Sequence, residues 1–224
     1  MGLYVDSAFL ADVERVSRTL RLAGATTNPS ILLAAARRGQ RLTDKEVLQR
    51  LLEVCPGNIF MQPVGETADA LRRMAEGYIA AAPERVVPKL PLTPAGMKVA
   101  CAWQQAGVRF SFTCVFTVTQ AYCAAMAGAR FVIPYFGRLR RTGQDACERI
   151  ESIVQLLNAQ APGTRVLAAS IKTPMDAAEA LMIGAHDLTA PPEVLEALLA
   201  DPLTDAAVAQ FQQDWLAFTH NTSH

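Results

Sequence analysis

Short apolar runs, several of them β-branched, alternate along this chain with longer segments of helical period, and the alternation repeats eight times. No other feature limits the fold as strongly. Parallel strands cannot be joined by a tight turn and need a crossover, which a helix supplies. The expected strands are Leu3–Val5, Ala23–Thr26, Asn58–Pro63, Arg85–Leu90, Arg109–Cys114, Arg130–Pro134, Arg165–Ser170 and Ala185–Thr189. Between them, Phe9, Val13, Val16 and Leu20 form a helical stripe. Thr43 and Glu46 make a capping box. Thr93-Pro94 and Thr173-Pro174 each pair a capping threonine with a proline at the first helical position, where the missing N–H costs nothing.

Eight βα units in 224 residues predict an α/β chain forming a single (β/α)8 TIM barrel over residues 1–224. "TDAAVAQFQQDWLAF" is left over as an additional C-terminal helix at about 204–219, followed by a short polar tail at 220–224. The helix carries a stripe of Val208, Phe211, Trp215 and Phe218. That stripe packs either on its own barrel or on a neighbouring subunit.

Charge excludes some partners. Lys plus Arg and Asp plus Glu number 21 each, so no overall field draws the chain to nucleic acid or to an anionic membrane, and an anionic ligand must be held locally. No apolar run approaches the ~18 residues that span a bilayer, and the N-terminus lacks a basic leader, so the chain is expected to be soluble. Five cysteines without a C-x-x-C pair point to reduced thiols in the cytoplasm, read as small buried hydrophobes. With three histidines, two of them in the tail, a histidine zinc site or a Ser-His-Asp triad is not expected.

In a barrel of this kind the chemistry lies at the C-terminal ends of the strands. Those ends carry Asp6, Thr26 to Asn28, Gln62, Lys89, Thr113, Tyr135, Ser170 and Thr189, a ring of polar groups on one face. Lys89 stands in "RVVPKLPLTP", flanked by Val86, Val87, Leu90 and Leu92. Burial disfavours an ammonium, so such a lysine has a lowered pKa, and a free amine attacks carbonyls. The alternatives are a lysine snorkelling to water or one paired with Asp6. Gln62 can position a water but cannot titrate, and Tyr135 is the better acid or base. Arg138, Arg140 and Arg141 form the densest basic cluster. Arg138 suits a phosphate, Arg140 and Arg141 read as a solvated loop, and Ser170 adds a hydroxyl near a helix start.

"LYVDS", "GATTNPSIL", "VVPKLPLTPAGM", "VIPYFGR" and "VLAASIKTP" together resemble the transaldolase family, specifically its short fructose-6-phosphate aldolase branch. The resemblance runs over almost the whole chain. It implies a TIM barrel, no metal, no organic cofactor, and a Schiff base between Lys89 and a dihydroxyacetone-like unit of a sugar phosphate. By the same resemblance Asp6, Asn28 and Ser170 hold donor hydroxyls, Thr26 and Thr113 complete the pocket, and Arg138 with Ser170 grips the phosphate. Gln62 and Tyr135 match the aldolase branch, where transaldolases proper carry glutamate and phenylalanine. It also implies a homo-oligomer, pentamer or decamer, joined partly through the C-terminal helix.

Some positions depart from that pattern. Pro88 removes a ladder N–H from what should be a central strand. Gly137 is more transaldolase-like, "RLRRTGQ" lacks a glycine-rich stretch, and "RFSFTCVFTVTQ" is bulkier than usual. These changes border the acceptor end of the pocket, so the electrophile need not be glyceraldehyde 3-phosphate. The expected activity is a class I aldolase; the alternatives are a transaldolase and a non-catalytic sugar-phosphate binding or assembly protein.

Overall fold

The computed structural model describes residues 1–222, and within it eight parallel strands close into a barrel in chain order. The strands are β1 (Gly2–Asp6), β2 (Gly24–Thr26), β3 (Asn58–Met61), β4 (Val86–Pro91), β5 (Ser111–Val115), β6 (Phe131–Pro134), β7 (Arg165–Ala168) and β8 (Asp187–Ala190). Around them run α1 (Leu10–Thr19), α2 (Pro29–Arg37), α3 (Asp44–Val54), α4 (Ala68–Ile79), α5 (Pro94–Gln105), α6 (Val118–Met126), α7 (Phe136–Arg141), α8 (Ala146–Gln160), α9 (Pro174–Met182), α10 (Pro192–Ala197) and α11 (Pro202–Thr222). The architecture is the (β/α)8 barrel with an additional C-terminal helix that the alternation predicts.

Side chains alternate across each strand, so every strand feeds two cores. Inward, Tyr4, Phe60, Val87, Phe131, Ile133, Tyr135, Leu167 and Ala169 fill the barrel. Tyr4 meets Phe60 edge-on at 5.3 Å between ring centroids, and Phe60 meets Phe131 at 5.1 Å, the geometry the ring quadrupoles favour. Outward, Val86, Leu90, Phe112, Val132 and Val166 pack under the helices. The near-continuous apolar character of β4 and β6 follows from this double burial.

Helix starts follow the expected caps. Thr43 and Glu46 form the capping box of α3, and Thr93 and Thr173 accept from Gly96 and Asp176 at the starts of α5 and α9. Strand ends differ by a few residues. β3 stops at Met61, before Pro63, β5 begins at Ser111 and not Arg109, and β7 stops at Ala168, because Ser170 takes a left-handed φ of 62° that no extended strand can hold.

Pro88 lies inside β4, as its position implied, yet the sheet accommodates it. Pairing with β3 ends at Met61↔Pro88 and pairing with β5 begins at Lys89↔Ser111, so the proline stands where the strand changes partners. The Ser111 hydroxyl donates to the Pro88 carbonyl at 3.0 Å.

Three expectations are corrected. Cys101 and Cys123 are exposed on the outer faces of α5 and α6, Cys114 and Cys147 are half-buried, and only Cys55 is buried. The helices have enough alanine and valine to cover the barrel without those thiols. Arg140 and Arg141 lie on α7, not in a loop, and Arg140 is paired with Asp176 at 2.7 Å and with Glu179. The C-terminal helix begins at Pro202 and continues through His220, Asn221 and Thr222, which had read as tail; residues 223–224 lie outside the described residues.

Candidate active site

At the C-terminal mouth of the barrel a cavity of about 410 Å³ is lined by Asp6, Asn28, Gln62, Lys89, Tyr135, Arg138 and Ser170, seven of the residues singled out from the sequence. They come from the ends of β1, β2, β3, β4, β6 and β7. Thr26 and Thr113 stand behind the wall and act on it. The Thr26 hydroxyl donates to Asp6 Oδ1 at 2.6 Å and accepts from the Thr189 hydroxyl at 2.5 Å. The Thr113 hydroxyl lies 2.7 Å from that of Tyr135.

Lys89 points inward and is 3% exposed, with Nζ donating to the Thr27 carbonyl at 2.8 Å. Burial lowers its pKa, and the Asp6 carboxylate opposes that shift. Among the described residues no ion pair joins the two within 4 Å. Val86 and Leu90, which the sequence suggested as its surroundings, face the helices; alternation leaves Val87 and the barrel interior beside the lysine. Asp6 is likewise pushed toward its neutral form, which for a carboxyl is the opposite shift. Burial raises its pKa, partly offset by Lys89, Thr26 and Lys172.

Tyr135 directly precedes α7, its side chain making no capping hydrogen bond, and is 9% exposed. Burial pushes its hydroxyl up to about 12, against the lowering effect of the Thr113 hydrogen bond. It therefore holds its proton at neutral pH. Phe116 meets its ring edge-on at 5.5 Å, and the Arg138 guanidinium lies 4.7 Å from the same ring. Gln62 is half-buried, and among the described residues no hydrogen bond holds its amide. The Asn28 side-chain oxygen Oδ1 caps α2 by accepting from the Ile31 N–H at 3.0 Å.

The loop after Asp6 is tied down by Gln40, which donates to the Ala8 carbonyl at 2.7 Å and accepts from the Leu10 N–H at 3.0 Å. Ser170 is held by Gly137, whose N–H donates to the Ser170 carbonyl at 3.1 Å. A Cβ at position 137 would lie 2.2 Å from that oxygen, which accounts for the glycine.

Besides Pro29, Ser30, Ile31 and Ala169, two cavity residues with titratable side chains escaped the sequence reading. Lys172 lies two residues beyond Ser170 and adds a second cation near Arg138; a lysine in "IKTP" reads as surface. Cys114 lines the wall 3.8 Å from the Tyr135 hydroxyl. It takes φ 62° at a register shift between β5 and β6, and no local pattern marks that turn. Among the described residues Cys114 and Ser170 are the two non-glycines with positive φ, and both face this cavity.

Solved structures confirm the fold class. A mandelate oxidase matches with a TM-score of 0.57 at 15% identity, covering 86% of this chain and 64% of that one. Inosine 5' monophosphate dehydrogenase from Legionella pneumophila matches with 0.59 at 14% identity, covering 87% and 59%. The chain spans less than two thirds of each, and the likeness concerns the barrel alone. Sequence comparison narrows it. Residues 3–223 match the family model described as Transaldolase/Fructose-6-phosphate aldolase. A probable transaldolase of Symbiobacterium thermophilum is 35% identical over 217 residues, covering 97% of this chain and 98% of its own. Another, from Alkaliphilus metalliredigens, is 34% identical over 215 residues, covering 96% and 98%. The chain belongs to the transaldolase/fructose-6-phosphate aldolase family, which is a family of enzymes.

Proposed function

We propose that the chain is a class I aldolase of fructose-6-phosphate aldolase type, reversibly cleaving a ketose phosphate into dihydroxyacetone or a similar ketone and an aldehyde phosphate. The observation that carries this reading is Lys89, an amine buried at the mouth of the barrel with its pKa lowered by that burial. Its amine adds to the ketose carbonyl, and the carbonyl oxygen leaves as water, giving a protonated imine. A water held by Gln62 and Tyr135 takes the proton from the hydroxyl on the far carbon of the bond to be cleaved, the carbon that becomes the aldehyde. That bond breaks, its electron pair moves to the imine nitrogen, and the aldehyde departs. Tyr135 returns a proton to the enamine carbon, and water hydrolyses the imine to free the ketone and Lys89. The imine is itself the electron sink, so the reaction requires neither metal nor organic cofactor.

Asp6, Asn28 and Ser170 supply partners for the donor hydroxyls, with Thr26 and Thr113 as their support. Arg138, Lys172 and Ser170 offer two cations and a hydroxyl to a phosphate at the β6–β7 side of the cavity. The chain is proposed to work in the cytoplasm, which its free thiols support, and no helix among the described residues is long and apolar enough to cross a membrane. Its apolar C-terminal helix supports a homo-oligomer.

A transferase reading, in which the three-carbon unit passes to an aldose phosphate, is favoured by the name probable transaldolase carried by both relatives. Incubation with fructose 6-phosphate alone separates the two: free glyceraldehyde 3-phosphate is expected of the aldolase, and turnover only on adding erythrose 4-phosphate identifies the transferase. Borohydride with dihydroxyacetone should label the Lys89 peptide in the native chain and not in Lys89→Met, whose turnover is abolished with the fold intact. An unlabelled native chain that still binds sugar phosphate would identify a non-catalytic binding protein.

A further inference from the structure

Strand β5 breaks its own alternation at the cavity wall. Phe112 and Val115 both pack under the helices, so the two residues between them, Thr113 and Cys114, both turn toward the barrel interior. The pairing with β6 records the extra residue: Phe112 stands opposite Val132 and Val115 opposite Pro134, so β5 carries two residues where β6 carries one. Such a bulge re-aims a side chain that regular pleating sends to the other face. Here it requires a φ of 62° at Cys114, backbone that favours glycine, yet the chain keeps a thiol there, half-buried on the cavity wall.

The bulge brings both residues to one hydroxyl. The Tyr135 ring is held by Phe116 edge-on and by the Arg138 guanidinium, which leaves the rotation of its O–H as the free variable. Two atoms compete to direct it, Thr113 Oγ1 at 2.7 Å and Cys114 Sγ at 3.8 Å. Thr113 is fully buried, and among the described residues its hydroxyl has Tyr135 as its single partner. Were it to accept from the tyrosine, its own hydrogen would be buried without an acceptor, so Thr113 donates. The tyrosine proton is then left for the cavity side, where the protein acceptor is a sulfur, and a weak one. A strong acceptor would retain that proton; a weak one aims it and gives it up.

We propose that Cys114 is a positioning residue for proton transfer: its sulfur keeps the Tyr135 O–H turned into the cavity, toward the carbon that the tyrosine protonates. This rests on the reading of Lys89 as the imine amine and of Tyr135 as the proton donor. Cys114 itself forms no bond to substrate. In the step it serves, the tyrosine gives its proton to the enamine carbon and the C=C electron pair becomes the new C–H bond. The nitrogen lone pair restores the imine, and the tyrosine oxygen takes back the proton carried by the held water.

Dihydroxyacetone in deuterated water isolates that step. Its imine with Lys89 loses a proton from the carbon beside the imine carbon and regains a deuteron by the same route, so exchange followed by NMR reports the transfer without any aldehyde. The test compares the native chain with Cys114→Ala and Cys114→Gly, which remove the sulfur, the second with a residue suited to the left-handed backbone, and with Cys114→Ser, which keeps an acceptor. Both sulfur-free variants are expected to exchange roughly tenfold more slowly than the native chain, a part of the ~10²–10⁴ that general acid–base catalysis supplies, while borohydride labelling of Lys89 by dihydroxyacetone keeps its native rate. Serine should restore most of the lost exchange. Undiminished exchange without the sulfur, labelling that falls in step with exchange in both sulfur-free variants, or serine no faster than alanine overturns the positioning role. A native chain that takes no label overturns the imine reading instead, and undiminished exchange in Tyr135→Phe overturns the tyrosine as donor.

Discussion

Lys89 combines an amine, a barrel interior and a single backbone acceptor, and its protonation follows from their balance. Because burial lowers its pKa, the folded chain releases this proton at a lower pH than the unfolded chain does. Between the lowered value and the ordinary 10.5 the unfolded state binds more protons, so stability rises with pH there; below that window the cost of the buried charge is present in full. Thermal denaturation of native protein and Lys89→Met across pH should accordingly show the variant's relative stability greatest at acid and neutral pH and diminishing toward alkaline pH. Tyr135, pushed up to about 12, keeps its proton throughout that range, so no second titration of the tyrosine should cut activity near pH 9. Tyr135→Phe removes the proton donor and should move product partitioning from free ketone toward transfer to an added aldose phosphate, read by product analysis with and without acceptor. The lysine was legible because a lone charge in an apolar run is conspicuous. Which residues surround it was not, since alternation sends Val86 and Leu90 to the other core.

Among the elements, α7 and α9 show how a site is held by residues that never enter it. Asp176 lies in the first turn of α9, accepts from the Lys172 and Thr173 N–H groups at 2.9 and 3.2 Å, and pairs through its other oxygen with Arg140 of α7 at 2.7 Å. It thereby fixes the segment from Ser170 to Thr173 against the helix that carries Arg138. Asp176→Ala removes charged hydrogen bonds from a buried carboxylate and should cost roughly 2 kcal/mol in denaturant unfolding. It should also raise KM for a phosphorylated substrate more than it lowers kcat. The caps Thr43, Thr93 and Thr173 were readable as local motifs. The Arg140 tie was not, because its partners lie 36 and 39 residues away. Pro88 marked a real irregularity whose form, a strand changing neighbours, depends on the whole sheet.

At the scale of the molecule, the barrel was legible because its alternation is repeated along the entire chain, whereas the destination of α11 was not, because an apolar stripe does not name its partner. In the single chain no residue of that helix is buried; Phe211 is 69% and Trp215 61% exposed. Truncation from Asp205 should therefore leave the barrel's circular dichroism in place and lower the oligomeric mass measured by light scattering. The cavity wall bears a different kind of consequence. Cys114 and Ser170 hold a backbone conformation that costs L-residues about 1–3 kcal/mol each and that glycine adopts freely. A mutant library selected only for heat resistance would drift toward glycine at both positions and lose the thiol and the hydroxyl that line the site, so stability and function would be selected apart at these two residues.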